Sequence, residues 1–344
     1  MRALIDAPLP RSFQRTTRAI DIPAVLLAAG TGTRLRPVTE GLPKPLVPIL
    51  NVPLLFWLVR TLADAHATYL VANTYSFHEQ MNAAAERLRD RDGITLTLVR
   101  EDRLSGPAGG LAACRDMLPA ADCYLVISGD AWAEFDVAEL VDGHRRAGAD
   151  LTILATTVSD PYRFGVLELV DGLDIVGLRA RSRTAPPDAL VSCGIYVVGE
   201  RALRLLAPPA IGEYDYKDFV PLLLSRRMTV KAHILRGSWD DVGNLDTYLD
   251  VNLRALGSGA ASRVAAPAGP QVWLQPGAML GANVTVTGPV LVGSGAVVEP
   301  ETVLGHAVVG PGAHVEAGAS VIRSVVPSGA SVAPGRSVQC EVVL

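Results

Sequence analysis

Aromatic side chains are scarce in this chain: Phe, Trp and Tyr together make up 5% of its 344 residues. With 49% of residues hydrophobic all the same, the interior must be built from Ala, Val, Leu and Gly. That mix suits helices packed on a parallel sheet, or tightly wound β coils. Basic clusters are missing too. The formal net charge is −4, and no run of Lys and Arg forms the stripe that a nucleic-acid partner requires. Cys114, Cys123, Cys193 and Cys340 are widely spaced and make no CxxC pair. This argues against a metal clip or a disulfide framework and for small buried hydrophobes in a reducing cytoplasm. No segment has the uninterrupted apolar length of a transmembrane helix. The first 20 residues carry Arg2, Arg11, Arg15 and Arg18 without an apolar core, unlike a secretory signal. Their two prolines and weak periodicity read as a loose tail. These absences predict a soluble, cytoplasmic protein with neither a nucleic-acid nor a membrane partner.

The length allows two domains with cores of their own. Residues 21–254 alternate between strand and helix patterns. Strands are expected at Ala24–Leu27, Tyr69–Ala72, Ile94–Val99, Tyr124–Ile127 and Leu151–Thr157. Helices are expected at Pro53–Ala65, Met81–Arg89, Leu111–Met117 and Val137–Ala147. The alternation implies βαβ units and a mostly parallel sheet, with ligands at the carboxyl ends of the strands. From about Val272 the texture changes. Apolar residues recur every six positions at Leu274, Leu280, Val286, Val292, Val298 and Leu304. After a five-residue step they continue at Val309, Val315 and Val321, and a second slip leads to Val332 and Val338. This is a hexapeptide β-helix repeat, with three hexads to a coil and the periodic residue inward. Residues 272–344 are assigned to it, and the Gly-, Ala-, Ser- and Pro-rich stretch 255–271 to a linker.

The stretch Leu26-Leu27-Ala28-Ala29-Gly30-Thr31-Gly32-Thr33-Arg34-Leu35-Arg36-Pro37, continuing through Pro43-Lys44-Pro45-Leu46-Val47-Pro48-Ile49, carries the chemistry. A strand delivers the chain into a turn of small residues, whose backbone N–H groups can approach phosphate oxygens closely. Arg34 supplies a planar fork for phosphate, and Lys44 a cation on a backbone stiffened by two prolines. The dinucleotide fingerprint does not fit, because Leu35 stands where its third glycine belongs. The P-loop does not fit either, for lack of Gly-Lys-Ser/Thr. An ordinary structural turn would have no need of Arg34 and Lys44.

This long pattern resembles the signature of the nucleotide-sugar pyrophosphorylases. With the hexapeptide repeat appended, the chain is most similar to their mannose-1-phosphate guanylyltransferase branch. The resemblance implies a Rossmann-like α/β nucleotidyltransferase domain followed by a left-handed parallel β-helix. It implies that Leu27, Ala28, Ala29, Gly30, Thr31, Gly32 and Thr33 bind the nucleotide, and that Arg34 and Lys44 stabilise departing pyrophosphate. Gly106-Pro107-Ala108-Gly109-Gly110-Leu111 resembles the segment beside the nucleobase, with Gly109 and Gly110 as contacts. A loop that merely caps the following helix is the alternative. Glu101, just upstream, matches an acidic residue able to accept both N–H groups of guanine, which points to GTP. Asp130 in Ser128-Gly129-Asp130 and Asp241 in Trp239-Asp240-Asp241 match the two carboxylates that hold Mg²⁺, and Asp130 counts among the catalytic residues.

On the sugar side, Gly165 in Tyr162-Arg163-Phe164-Gly165 and Ser192 in Ser192-Cys193-Gly194-Ile195-Tyr196 fall on the family's sugar-contacting segments. Ser192 stands where asparagine is usual. The Glu-Lys-Pro element falls on Ala180-Arg181-Ser182, leaving Arg181 to hold the sugar phosphate. These departures open the acceptor to a heptose or cyclitol 1-phosphate as well as a hexose 1-phosphate. Two other readings stand beside this one. One is a non-catalytic regulatory or binding paralogue of the same fold. The other is a hexapeptide-repeat acyltransferase with His306 or His314 as base. The flat faces and end coils of a β-helix also suit pairing between copies, so a homo-oligomer is expected.

Overall fold

The computed structural model describes residues 2–12, 19–170, 172–179, 186–206 and 212–344. In chain order its elements begin with α1 (Arg2–Ile5), β1 (Pro23–Leu27), the two-residue strands β2 (Pro48–Ile49) and β3 (Val52–Pro53), and α2 (Leu54–Asp64). Next come β4 (Tyr69–Thr74), α3 (His78–Asp92), β5 (Leu96–Arg100), α4 (Gly106–Cys114), β6 (Cys123–Ser128), β7 (Ala131–Ala133), α5 (Val137–Ala147) and β8 (Leu151–Thr157). They are followed by β9 (Val166–Val170), β10 (Asp174–Arg179), β11 (Leu190–Gly199), α6 (Glu200–Leu203), α7 (Tyr216–Ser225), β12 (Val230–Ile234), β13 (Trp239–Asp241) and α8 (Leu245–Gly257). Short strands run on from Ala266 to Gln339. The chain sorts into two compact units: Gln14–Thr31 with Thr61–Asp241, and Met1–Phe13 with Gly32–Arg60 and Val242–Leu344.

The first of these units is a nine-stranded sheet in the order β5-β4-β1-β6-β11-β8-β12-β10-β9. β5, β4, β1 and β6 run parallel, as β12 does beside β8. β11 is antiparallel to β6 and β8, and β10 to β12 and β9. The parallel pairing expected from strand–helix alternation holds for β5, β4, β1 and β6 and for β8 with β12, whereas β11 and β10 run antiparallel to their neighbours. The continuous apolar runs of β1 and β6 are buried nearly throughout, as strands covered on both faces must be. After β1 the chain steps outward to β4 and β5, then returns to β6 on the other side of β1. The reversal of strand order falls between β1 and β6, where open α/β sheets bind ligands.

Helix ends follow local chemistry. The Asp136 side chain accepts the Glu139 N–H at 3.0 Å to open α5, which spans the expected Val137–Ala147. Asp215 and Asp218 form a capping box on α7. α4 differs from expectation. It starts at Gly106 rather than Leu111, because the Tyr214 carbonyl accepts the N–H groups of Ala108 and Gly109 at 3.0 and 3.1 Å and so caps the first turn. The core of this unit gathers Val25, Val71, Val126, Ile153, Tyr196, Tyr216 and Phe219.

The other unit holds a parallel β-helix. Three stacks of short parallel strands make its faces, as in Val290–Val292 on Ala307–Val309, Val297–Val298 on His314–Val315, and Val303–Gly305 on Ser320–Ile322. The periodic residues Val292, Val298, Leu304, Val309, Val315, Val321, Val332 and Val338 fill its core, with Leu274, Leu280 and Val286 partly buried at the open end. Val326 fills the place that the spacing left blank between Val321 and Val332: it pairs with Val309 and is fully buried. On one face the outward residues Leu291, Val308 and Val325 are buried as well, and α8 lies against Ala307–Val309 there. The stretch 255–271, read as a linker, contains the end of α8, a 3-10 turn at Ala260–Arg263 and the strand Ala266–Gly269. Within the expected tail, Leu4, Ala7 and Leu9 are buried, and Arg11 and Arg263 exchange two hydrogen bonds.

Candidate active site

Leu27 ends β1, and Ala28 and Ala29 behind it are buried while Gly30 and Thr31 are exposed. Two contacts set this turn. The Gly129 N–H donates to the Leu27 carbonyl at 2.9 Å, and a Cβ on Gly129 would lie 2.7 Å from that oxygen, so only glycine lets β6 end so close to β1. The Ala28 N–H donates to Asn73 Oδ1 at 2.7 Å. The N–H of Ala28, expected to face phosphate, is thereby taken up by the protein.

Asn73 lies near the end of β4 and is 3% exposed. Its Nδ2 donates to Glu101 Oε1, and the Ser105 hydroxyl donates to Glu101 Oε2. Glu101 is itself buried, and its N–H donates to the Thr74 carbonyl at 2.7 Å. The carboxylate assigned to the nucleobase thus already accepts one hydrogen bond on each oxygen. Gly110 belongs to the same network: a Cβ there would sit 2.3 Å from Asn73 Nδ2. Asn73 is a residue that sequence reasoning missed. Its signal was a lone amide near the end of an otherwise apolar strand.

Asp130 follows β6, with its Oδ1 accepting from the Ser128 hydroxyl at 2.6 Å. β7 starts at the next residue and pairs antiparallel with β13, so that Asp241 stands opposite Ala131. The backbones of Asp130 and Asp241, far apart in sequence, therefore lie one ladder position apart. Among the described residues no three His, Cys, Asp or Glu side chains cluster as a metal cage. A pair of hard oxygen donors, completed by phosphates and water, is a donor set that fits Mg²⁺.

The sugar-side residues also meet. The Ser192 N–H donates to the Gly165 carbonyl at 3.0 Å. The Ser192 hydroxyl accepts the Gly194 N–H and donates to the Tyr196 hydroxyl, both at 3.2 Å. A bulge in β11 between Ser192 and Tyr196 sets Gly194 against Ser128. Phe164 meets Trp239 edge-on, with ring centroids 5.0 Å apart. Arg181, with Ala180 and Ser182, lies outside the described residues.

The signature divides between the two units at the Thr31–Gly32 peptide bond. In the β-helix unit, the Gly32 carbonyl accepts from the Thr39 hydroxyl at 2.8 Å. Thr33, Arg34 and Leu35 form a 3-10 turn on which Thr33 and Arg34 are exposed, whereas Lys44 is 8% exposed. The histidines considered as acyl-transfer bases lie on the β-helix. His306 is exposed at a coil corner, and His314 pairs with Glu299 at 2.7 Å. Burial pushes the thiols of Cys114 and Cys123 up to about 12 and raises that of Cys193 as well, so all three are protonated at neutral pH. No helix among the described residues is long and apolar enough to cross a membrane.

Residues 23–257 match the nucleotidyl transferase family. A Sulfolobus acidocaldarius protein provisionally named a mannose-1-phosphate guanyltransferase is 31% identical over 235 residues, covering 68% of this chain and 63% of the relative. A glucose-1-phosphate thymidylyltransferase of Streptomyces griseus is 30% identical over 239 residues, covering 68% and 66%. The chain spans about two thirds of the length of these curated relatives. Among solved structures, a Bacillus anthracis protein crystallised with sucrose and provisionally named a glucose-1-phosphate thymidylyltransferase superposes with a TM-score of 0.61 at 25% identity, covering 68% of this chain and 95% of that one. The matching family, the relatives that share it and a sheet that gathers the signature's glycine turn with Asp130 at its switch point lead to one conclusion: this chain belongs to the nucleotidyl transferase family, among the nucleotide-sugar pyrophosphorylases.

Proposed function

We propose that this chain transfers a nucleotidyl group from a nucleoside triphosphate, GTP first, to a sugar or sugar-like 1-phosphate, with release of pyrophosphate. The observation that carries this reading is the placement of Asp130 and Asp241 one ladder position apart, beside the turn that leaves β1. The acceptor phosphate is anionic at neutral pH, so no general base is needed. Its oxygen attacks the α-phosphorus, the bond from that phosphorus to the bridging oxygen breaks, and the electron pair leaves with pyrophosphate. Catalysis is then positioning and charge stabilisation. Backbone from Leu27 to Thr33, less the Ala28 N–H that Asn73 holds, cradles phosphate, and Arg34 and Lys44 hold the β- and γ-phosphates. Asp130 and Asp241 hold Mg²⁺, which supplies positive charge to the phosphates. Gly109, Gly110 and Glu101 serve the base, each Glu101 oxygen keeping a second lone pair beside its Asn73 or Ser105 bond. Gly165, Arg181 and Ser192 serve the acceptor. GTP is the first choice because the archaeal relative carries a guanyltransferase name, and dTTP is its competitor because the Streptomyces relative carries a thymidylyltransferase name.

A matrix of triphosphates against hexose, heptose and cyclitol 1-phosphates, read by mass spectrometry of the nucleotide product, tests the reading. One combination should release pyrophosphate stoichiometrically with an NDP-sugar, and Asp130→Asn should lower its turnover at least about a hundredfold, on the order of removing a metal-holding charge. Tight nucleotide binding with no product from any acceptor would instead make the chain a binding paralogue.

A further inference from the structure

We propose that the β-helix is the seat of the loop carrying Lys44, and that Asn252 and Asn51 are the positioning residues that fix this loop for the triphosphate's outer phosphates. The proposal rests on the reading that Lys44 binds those phosphates.

The starting point is a strained turn. β2 and β3 pair Ile49 with Val52, leaving a two-residue connection. Its residues Leu50 and Asn51 have φ of 50° and 65°. Such a hairpin needs positive φ at both positions, which suits Asn and Gly but not a bulky side chain. Leu50 is nonetheless there, fully buried. A residue in this conformation persists only where its surroundings over-determine it, and such residues concentrate at functional sites.

The surroundings are explicit. The Leu50 N–H donates to Asn252 Oδ1 at 2.9 Å, and Asn252, fully buried in α8, donates through Nδ2 to the Tyr248 carbonyl at 2.9 Å. Both ends of its amide are engaged, so its orientation is fixed. Asn51 Nδ2 donates at 2.9 Å to the carbonyl of Val309, a core residue of the β-helix. The Trp57 indole N–H donates to the Ile49 carbonyl at 3.0 Å. One step back, the Leu54 N–H meets the Val47 carbonyl and the Val47 N–H meets the Lys44 carbonyl, at 3.0 and 3.1 Å. A Cβ on Gly32 would lie 3.2 Å from Lys44 Cβ, so Gly32 leaves room for the Lys44 side chain beside it. Contacts within one compact unit thus tie the backbone at Lys44 both to a β-helix strand, through Asn51, and to α8, through Asn252. The β-helix has a task here that requires neither acyl transfer nor self-assembly.

The test compares binding of GTP, GMP and inorganic pyrophosphate to the full chain by calorimetry in Mg²⁺ buffer, with dTTP and dTMP in parallel. Asn252→Ala should weaken the triphosphate and pyrophosphate on the order of tenfold, the size of one misplaced charged contact, and leave the monophosphate within about twofold. Lys44→Ala is the reference and should show the same selectivity more strongly. Should Asn252→Ala fail to fold by thermal melting, Asn51→Gly, which removes the bond to Val309 and keeps the positive φ accessible, should give the same split. If Lys44→Ala shows the split and neither asparagine variant does, or if an asparagine variant weakens all ligands equally, the positioning proposal is overturned. If Lys44→Ala shows no split, or the parent chain binds no triphosphate, the reading of Lys44 fails and the proposal falls with it.

Discussion

Replacing Asn73 by aspartate changes one NH₂ into one oxygen and leaves the shape of the side chain intact. The acceptor for the Ala28 N–H survives, but the group facing Glu101 turns from donor into a second carboxylate. Two charges about 3 Å apart at an effective dielectric of about 20 repel by about 5 kcal/mol. Protonating a carboxyl with an ordinary value near 4 costs about 4 kcal/mol at pH 7, since each unit is worth about 1.4 kcal/mol. Protonation is the smaller cost, so the pair should share one proton at neutral pH. The folded-state pKa of one carboxyl is then raised above its unfolded value. A raised carboxyl disfavours folding progressively as pH climbs from the unfolded value towards the folded one, and the penalty fades again towards pH 4. The variant should therefore be about 4 kcal/mol less stable than the parent at pH 7 and only about 1.4 kcal/mol less stable at pH 5. Urea unfolding of both proteins at the two pH values measures this difference. A deficit that does not change between pH 5 and pH 7 would show that the introduced carboxylate and Glu101 do not face each other, and the network behind the glycine turn would have to be redrawn.

Other consequences can be checked in the same way. Glu101→Gln should lower the preference for GTP over dTTP by about tenfold in initial rates, the usual size for one lost charged contact. An unchanged ratio with uniformly weaker activity would leave Glu101 the task of holding Asn73 alone. His144 is buried beside Thr152, and burial lowers its pKa to about 4. Its neutral form is the one that folds, so stability should be unaffected above about pH 6.5 and fall between about pH 6.5 and 4, by on the order of 3 kcal/mol. Denaturation curves of the parent should lose this component in His144→Gln, and parallel pH profiles for the two proteins would contradict it. Val326→Thr places a hydroxyl in the β-helix core at nearly constant volume and should cost about 1–3 kcal/mol in chemical unfolding. A neutral result would mean that this coil is not packed as described.

Much of the fold was legible because its signals are local. The period of six between Leu274 and Leu304 is a direct imprint of coil geometry, and the bounds of α5 follow from a capping aspartate and an apolar stripe. The second slip was visible in the spacing, but the residue that fills it, Val326, was identified only by its pairing with Val309. The cation-rich signature and the two aspartates were likewise written in the sequence. Their grouping was not: Asp241 comes beside Asp130 only because β13 pairs with β7. Spacing alone also concealed that the Ala28 N–H is held by Asn73, that Glu101 already accepts two hydrogen bonds, and that Tyr214 caps α4. Each of these depends on a partner far away in the chain, brought near by strand order. By itself the sequence determined which chemical groups are available and the periodicities that bury apolar faces. The tertiary structure alone decided which of those groups meet, because long-range pairings across a sheet and between coils are fixed by packing rather than by any neighbour along the chain.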